Sequence, residues 1–234
     1  MNNWYWKLKK NLLYYLRRLR GDKKIWHQDV MKYLKNIKNP VILEAGACDG
    51  QDTLRFAKLY PHATIYAFEP VKNLFEKIKQ RVSGLDNVKL FQLALSDNNG
   101  ESEMYISELK EFISSSSSLL APAKHLDINP EIVFEKKEIV KTMTLDSWAE
   151  QEKIDRIDAM WLDMQGAEPV VLKASEKIIR TVKVICSEVS FIELYKDQIL
   201  YDEYRKWLES LGFEVKKEEF FKNNEGGNVL FVRV

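Results

Sequence analysis

A glycine-rich segment, Glu44-Ala-Gly-Ala-Cys-Asp-Gly50, has the composition of a ligand-binding turn. It follows an apolar run over 41–45 and precedes a helical pattern, so it joins a predicted strand to a predicted helix. Glycine lets a ligand approach the backbone closely, and the first amides of the helix can bind it. The two glycines could also serve only to make a tight turn. As ligand-binding candidates the segment offers Glu44, Gly46, Ala47, Asp49 and Gly50.

The spacing of the glycines narrows the kind of ligand. Gly46 and Gly50 form G-x-x-x-G, whereas the turn that holds a dinucleotide pyrophosphate reads G-x-G-x-x-G. A looser turn that begins with an acid, Glu44, suits a ligand with a positively charged amino-acid end. S-adenosylmethionine is such a ligand.

Two further carboxylates follow the next two predicted strands. Glu69 ends the strand 64–68, where it can accept hydrogen bonds from both hydroxyls of a ribose, and Asp97 follows the strand 88–95, where it can meet an adenine. Alone, Glu69 could be a surface acid and Asp97 an ordinary turn residue. Their joint placement favours a nucleoside cofactor, because ligands of open α/β sheets bind at the carboxyl ends of strands. The candidates here are Glu69, Pro70, Ala94 and Asp97.

Several segments together resemble class I S-adenosylmethionine-dependent methyltransferases, and more narrowly the FkbM family. They read Ile42-Leu-Glu-Ala-Gly-Ala-Cys-Asp-Gly50, Tyr66-Ala-Phe-Glu-Pro70, Leu93-Ala-Leu-Ser-Asp97, Thr144-Leu-Asp146, Ile157-Asp-Ala-Met-Trp-Leu-Asp-Met-Gln-Gly-Ala-Glu168 and Val171-Leu-Lys-Ala174. The resemblance covers roughly residues 40–234. It implies S-adenosylmethionine as cofactor and methyl transfer to a hydroxyl oxygen, often on a sugar of a glycan, glycolipid or natural product.

Two positions depart from the FkbM pattern, which reads lysine, apolar, Asp, apolar, Glu, Gly, small, Glu. Trp161 stands in place of the lysine and Gln165 in place of the first Glu, while Asp163, Gly166 and Glu168 match. Gln165 cannot act as a base, although it can hydrogen-bond an acceptor, so the departure indicates an altered acceptor or weak activity.

A sugar hydroxyl becomes a nucleophile only as its proton is removed, so methyl transfer to it needs a base beside the methyl group. Asp163, which also counts among the cofactor-binding candidates, is the first choice, followed by Glu168 and Glu188. Glu168 could instead be a favourable charge in a first helical turn, and Asp163 a structural hydrogen-bond acceptor. The three could also converge on Mg²⁺, but no local spacing demands it, and no metal is predicted.

The segment 101–143 interrupts the regular pattern and includes a serine run over 114–118. Such an insertion is usually functional or disordered, so it is either a lid over the acceptor or an unstructured loop. His125 lies in it and could reach the site as a base, although a lone loop histidine is more often exposed. The predicted acceptor-binding residues are Gln165, Ser117 and His125.

Outside this insertion, apolar runs alternate with helical patterns from residue 40 onward. This order predicts an α/β fold: a doubly wound, mostly parallel Rossmann-like sheet with an antiparallel C-terminal strand, preceded by N-terminal helices. The predicted strands are 41–45, 64–68, 88–95, 103–106, 138–143, 159–163, 182–189, 213–215 and 228–234. The predicted helices are 1–20, 26–37, 52–60, 71–82, one from Asp146, 168–180 and 201–211.

The chain has 234 residues, of which 45% are hydrophobic and 30% charged, as in ordinary globular proteins. Its two cysteines match no zinc spacing and fit a reducing cytoplasm, and no apolar run approaches the ~20 residues of a membrane span. Residues 1–40 carry a net charge of +9 and the rest −8. The acidic body argues against a nucleic-acid partner.

The basic charge belongs to an N-terminal helical segment, residues 1–39, which precedes the methyltransferase domain, residues 40–234. One side of the helix over 1–20 carries Trp, Tyr and Leu and the other carries Lys and Arg. This pattern suits contact with the inner face of an anionic membrane. Alternatively, residues 4–20 pack on the body or form a homodimer.

Two other function classes remain open at this stage. A nicotinamide-dependent oxidoreductase could use a related sheet, but the third glycine and an evident hydride-transfer pair are missing. A non-catalytic nucleoside-binding scaffold, docked through its N-terminal helix, would explain Trp161 and Gln165.

Overall fold

The computed structural model describes residues 22–109, 112–222 and 224–234. The helix predicted over 1–20, with its apolar stripe, lies outside these residues. No helix within them is long and apolar enough to cross a membrane. The elements are α1 (Asp22–Leu34), β1 (Val41–Ala45), α2 (Gln51–Leu59), β2 (Thr64–Phe68), α3 (Lys72–Arg81), β3 (Val88–Phe91), β4 (Ala94–Leu95), β5 (Gly100–Leu109), β6 (Phe112–Ile113), α4 (His125–Ile128), β7 (Ile132–Met143), α5 (Leu145–Gln151), β8 (Ala159–Leu162), α6 (Glu168–Lys173), α7 (Glu176–Ile179), β9 (Val184–Ser190), α8 (Tyr201–Ser210), β10 (Phe213–Phe220) and β11 (Gly226–Arg233).

The main sheet has seven strands in the order β10-β11-β9-β8-β1-β2-β3. Strands β3, β2, β1, β8 and β9 pair in parallel, and β11 is antiparallel to both of its neighbours. The predicted fold class is therefore confirmed. The chain leaves β1 toward β2 on one side and returns to β8 on the other, so the strand order switches between β1 and β8. Open α/β sheets bind their ligands at such a switch.

Helices cover both faces of this sheet because its central strands are apolar on both sides. All four residues of β8 are buried, and they alternate between the two layers. Met160 packs in the same cluster as Trp148 of α5, whereas Trp161 packs with Trp26 of α1 and Phe56 of α2. Trp148 anchors its layer through edge contacts with three rings, those of Tyr66, Phe68 and Phe91.

Helix α1 is part of the body that the sheet organises. Its Trp26, Val30 and Leu34 are buried in the cluster that covers one face of the sheet. The Trp26 indole donates to Glu219 of β10 at 2.7 Å, and Lys217 of β10 lies over the same ring. The helix begins at Asp22 and ends at Leu34, a few residues before the predicted bounds 26–37.

The insertion forms a second, four-stranded sheet in the order β4-β7-β5-β6. The strand predicted over 88–95 is split, because β3 joins the main sheet and β4 pairs with β7. The strands predicted over 103–106 and 138–143 are parts of the long antiparallel pair β5 and β7. The length of these two strands depends on their pairing with each other across the insertion. The local alternation of apolar and polar residues in the sequence does not reveal it.

The helix predicted over 168–180 is also split, into α6 and α7. Ser175 lies between them, and its hydroxyl accepts a hydrogen bond from the amide of Leu145 at 3.1 Å. Asp146 caps the second piece, since its two carboxylate oxygens accept from the amides of Lys177 and Ile178 at 3.0 and 2.8 Å. The Thr144-Leu-Asp146 segment thus fixes α5 to α7.

Replacing Asp146 with Ala should lower the free energy of unfolding by about 1–2 kcal/mol, because two helix-terminal amides lose their acceptor. Urea denaturation measures this. The exposed Asp155, changed to Ala, is the matched control and should stay within about 0.5 kcal/mol of wild type. Equal stabilities of the two variants would contradict the capping role.

Candidate active site

A cavity of about 330 Å³ opens at the carboxyl ends of β1, β2, β8 and β9, where the strand order switches. Its size falls within the usual range for small-molecule sites. The insertion closes one side of it through Met104 of β5 and Leu119, and the turn after β1 forms the opposite side. Of the predicted site residues, the cavity is lined by Gly46, Ala47, Asp49, Glu69, Pro70, Ala94, Ser117, Asp163, Gln165 and Glu188.

The turn after β1 depends on glycine at position 46, where φ is +82°. A Cβ atom there would lie 1.9 Å from the backbone oxygen of Asp163, so no larger residue fits. The amides of Gly46 and Ala47 both donate to the carbonyl of Phe68, at 3.1 and 3.0 Å. The turn therefore brings the ends of β1, β2 and β8 together at one edge of the cavity.

Glu69 lies at the end of β2 and is 4% exposed. One carboxylate oxygen accepts from the amide of Cys48 at 2.8 Å and the other from the amide of Val71 at 2.9 Å. Burial raises the pKa of Glu69 to about 7, although these two hydrogen bonds oppose the shift. The side chain thus holds the glycine turn to β2 and lines the cavity.

Asp163, Gln165 and Glu188 form a hydrogen-bonded group on the other side of the cavity. The Gln165 amide nitrogen donates to Asp163 Oδ1 and to Glu188 Oε2, each at 2.8 Å. The hydroxyl of Tyr195 lies 3.0 Å from Gln165 Oε1 and 2.8 Å from the carbonyl oxygen of Ser116. The predicted base, the predicted acceptor ligand and Glu188 are therefore adjacent.

Glu168, the second choice for the base, does not line the cavity. It is 2% exposed, and its two oxygens accept from the amides of Met164 and Gly166 at 2.5 and 3.0 Å. Burial, with a contribution from the charge of Asp163, raises the pKa of Glu168 to about 7. Its carboxyl group fixes the loop that carries Gln165.

Four other predicted site residues also lie away from the cavity lining. Glu44 is buried within β1, and Gly50 precedes α2 at its N-terminal end, where a Cβ atom would meet Ile78. Asp97 is exposed and accepts hydrogen bonds from Ser96 and Asn98 in its own turn, which is the ordinary turn role.

His125 is the fourth, and the expectation that it is exposed is wrong. It is 4% exposed at the start of α4, with its ring edge-on to Phe134 and 5.5 Å from that of Tyr195. Burial lowers the pKa of His125.

The serine run is held by hydrogen bonds in the described part of the chain, so of the two alternatives left open the unstructured loop is wrong there. The hydroxyl of Ser107 lies within hydrogen-bonding distance of the hydroxyls of both Ser114 and Ser117. Ser118 pairs with Tyr105 through both backbone groups, and its hydroxyl donates to the carbonyl oxygen of Gln165 at 2.8 Å. These contacts bring Ser114, Ser115 and Ser117 to the cavity.

Several lining residues were missed by the sequence analysis. Asp52 and Arg55 of α2 pair at 2.8 Å, and Asp52 lies 3.4 Å from the buried imidazole of His27 in α1. Asp52 and Arg55 lie at the start of the helix that follows the glycine segment, and this position could have identified them as site residues from the sequence. Asn228 also lines the cavity, opposite Glu188 in the pairing of β11 with β9, and Phe221 lies beyond β10. Only the strand register brings these last two residues to the site.

The chemistry of the lining fits a cationic nucleoside. Five carboxyl groups line the cavity against one described cation, Arg55, which suits a sulfonium and an ammonium group. Around Ala94 the wall is apolar, which suits a flat base, and consists of Leu74, Leu93, Leu95 and Met104. Among the described residues, no three His, Cys, Asp or Glu side chains are arranged to hold a metal ion.

The sheet order and the acidic cavity at its switch define a Rossmann-like S-adenosylmethionine-dependent methyltransferase. Residues 44–215 match the model of the methyltransferase FkbM domain, and the chain belongs to that family. The resemblance seen in the sequence is confirmed, and S-adenosylmethionine is the cofactor. Membership of this family favours methyl transfer over the oxidoreductase alternative.

Two curated relatives support the assignment. The chain is 32% identical over 177 residues to the 2-O-methyltransferase NoeI of Sinorhizobium fredii, covering 74% of this chain and 72% of that protein. It is 25% identical over 210 residues to the methyltransferase sdnD of Sordaria araneosa, covering 77% and 76% of the two chains.

Two solved structures share the fold. The magnesium protoporphyrin IX methyltransferase of Synechocystis PCC 6803 with bound S-adenosylmethionine has a TM-score of 0.52 at 10% identity, covering 92% of this chain and 80% of that one. The N-terminal domain of EvdMO1 with bound S-adenosylhomocysteine has a TM-score of 0.50 at 14% identity, covering 91% and 81%.

The stability of the cofactor-free protein should fall as pH rises from about 5 to 8. Glu168 and Glu69 keep their protons up to pH values near 7 in the folded state but lose them near 4.5 when unfolded, so the folded state binds more protons in this window. Changing Glu168 to Gln should reduce the fall by about 3 kcal/mol.

Urea denaturation at several pH values measures this slope. The Glu168→Gln variant also loses one hydrogen bond to the 164–166 loop, which lowers its free energy of unfolding equally at every pH. The slope of that free energy against pH therefore still reports the titrating groups. The exposed Glu150, changed to Gln, should keep the wild-type slope. A wild-type slope in the Glu168→Gln variant would show that Glu168 is already ionised in the folded state at pH 5.

Proposed function

We propose that this protein is an O-methyltransferase that methylates a hydroxyl group of a saccharide or a saccharide-bearing metabolite. The observation that carries the proposal is one cavity that joins a nucleoside-type lining to a pair of carboxylates, Asp163 and Glu188. The 32% identity to a protein named as a 2-O-methyltransferase supports transfer to oxygen.

On the cofactor side, Glu69 is the proposed partner of the ribose hydroxyls, because it ends β2 and lines the cavity beside the glycine turn. Ala94 and the apolar residues around it form the proposed adenine wall. Asp49 and the backbone of Gly46 and Ala47 border the part of the cavity proposed for the amino-acid end.

On the acceptor side, the lining suits a neutral saccharide. Ser114, Ser115 and Ser117 bring hydroxyl groups and Asn228 brings an amide, and these groups both donate and accept hydrogen bonds, as sugar hydroxyls do. Phe221 adds an aromatic ring that can cover the apolar face of a pyranose.

When bound, S-adenosylmethionine supplies a methyl group attached to a positively charged sulfur, and the sulfur keeps the electron pair when the carbon–sulfur bond breaks. Asp163 is the proposed base and takes the hydroxyl proton as the acceptor oxygen bonds to the methyl carbon. Glu188, joined to Asp163 through Gln165, is the alternative base. The cavity walls hold the reacting groups in line.

Replacing Glu69 with Ala should weaken S-adenosylhomocysteine binding by about 100-fold, because charged hydrogen bonds to two hydroxyls are lost. Isothermal titration calorimetry measures the dissociation constant. The exposed Glu76 of α3, changed to Ala, is the control and should bind as wild type does. Wild-type affinity in the Glu69 variant would refute the ribose assignment.

Wild-type protein should transfer a labelled methyl group to an oligosaccharide panel as an alkali-stable ether. The Asp163→Asn variant should lose at least about 100-fold in kcat with a far smaller change in S-adenosylhomocysteine affinity, because general-base assistance is removed. The exposed Asp155, changed to Asn, is the control.

This experiment tests the acceptor class and the role of Asp163 independently. If wild type binds the cofactor and methylates no saccharide, the proposed acceptor class is wrong. If Asp163→Asn retains near-normal kcat, the proton goes to another group, and Glu188→Gln becomes the next variant.

A further inference from the structure

Gln165 is tied to three separate parts of the chain. It follows β8 with a φ of +55°, a left-handed conformation that side-chain-bearing residues seldom adopt. Its backbone carbonyl accepts from the hydroxyl of Ser118 in the insertion. Its side chain reaches Asp163 on its own loop, Glu188 on β9 and Tyr195 on the segment after β9. The surroundings determine both its backbone and its side chain.

The orientation of the amide follows from chemistry. A primary amide has two N–H groups on nitrogen and acceptor sites on oxygen. Both N–H groups of Gln165 are directed at carboxylate oxygens, those of Asp163 and Glu188, and its oxygen faces the Tyr195 hydroxyl. The reverse orientation would place a carbonyl oxygen against two carboxylates. Both amide hydrogens are thus used within the protein.

The two carboxylate oxygens that share this nitrogen lie about 5 Å apart, given hydrogen bonds of this length and the angle between the two N–H groups. Like charges at such a distance raise the pKa of one member of the pair. A donor placed between them favours the ionised form of both. A glutamate at position 165, which the FkbM pattern predicts, would instead put three carboxyl groups around one point.

Among the described residues, the cavity lining holds no Lys or Arg other than Arg55. Burial and the charges of Glu188, Asp163 and Glu168 raise the pKa of Tyr195 above its usual range, so its hydroxyl keeps its proton. The described titratable groups that face the pair or line the same cavity include Glu168 on α6, Tyr195, and Cys48, Asp49, Asp52, Arg55 and Glu69. Arg55 is already paired with Asp52.

We propose that Gln165 is a positioning residue whose side-chain amide keeps Asp163 and Glu188 ionised together beside the acceptor, so that a base is available at neutral pH. This inference rests on the proposed function, and it replaces the acceptor-binding role predicted for Gln165. Gln165 acts through its two neighbours and neither takes nor gives a proton.

The test uses two substitutions with different chemistry. Gln165→Glu keeps the shape and adds a third carboxyl group, whereas Gln165→Met keeps the approximate size and removes the donor. Gln151, exposed at the end of α5, is changed to Glu as the control for the same chemical change elsewhere. Thermal unfolding establishes that each variant is folded, and the near-isosteric Gln165→Glu carries the test if the Met variant is not.

The direct readout is a pH titration of ¹³C-carboxyl resonances in the cofactor-free full-length protein, assigned with Asp163→Asn and Glu188→Gln. In both Gln165 variants, the midpoint of at least one member of the pair should rise by about one pH unit or more. The acid limb of the kcat–pH profile should move in the same direction, while S-adenosylhomocysteine affinity changes less than about threefold. The Gln151 variant should match wild type in both.

The outcomes separate this inference from the proposed function. Midpoints that stay within about 0.3 pH unit of wild type in both Gln165 variants overturn the positioning role, even if the enzyme methylates saccharides. Raised midpoints in a protein that methylates no saccharide support the positioning role and refute the proposed acceptor.

Discussion

The close approach of Gly46 to the backbone of Asp163 is the constraint on which the site depends. A side chain at position 46 would collide with that backbone, so the ends of β1 and β8 can meet only because the residue is glycine. The contact lies where the strand order switches, and it brings the turn of the cofactor side next to the loop that carries the carboxylate pair. The proximity of the cofactor side to the carboxylate pair, which methyl transfer needs, thus depends on the absence of a Cβ atom at position 46.

The sheet builds the floor of the cavity, and the insertion builds its cover. Strands β5 and β7 hold the serine run in place, and the hydrogen bonds that join the insertion to the side of the carboxylate pair include Ser118 to the Gln165 carbonyl and Tyr195 to the Ser116 carbonyl. Because the Ser118 bond ends on the Gln165 backbone and the Tyr195 hydroxyl also lies 3.0 Å from Gln165 Oε1, the insertion is connected to the carboxylate pair through Gln165. A change in the insertion is expected to reach the site through this residue.

Two kinds of carboxyl group occur at the site, and burial distinguishes them. Glu69 and Glu168 are almost fully buried, and their oxygens accept backbone amides, so they fix loops against the sheet. Asp163 and Glu188 are less buried, line the cavity and share the amide of Gln165. Burial raises the pKa of the first kind by removing the charged form from water, while the second kind comprises the two carboxyl groups proposed to take the acceptor proton.

The sequence by itself determined the α/β fold class, the alternation of strands and helices along the chain, the glycine turn, the family and the cofactor. These depend on features that lie within a few residues of each other: apolar runs, turn-forming residues and short motifs. Only the tertiary structure decided that Glu168 supports a loop, that His125 is buried, that the insertion pairs as a sheet, and that Asn228 lines the cavity. The physical reason is distance along the chain. Gln165 meets Glu188 across 23 residues and Tyr195 meets Ser116 across 79, and packing selects such partners after the local elements have formed.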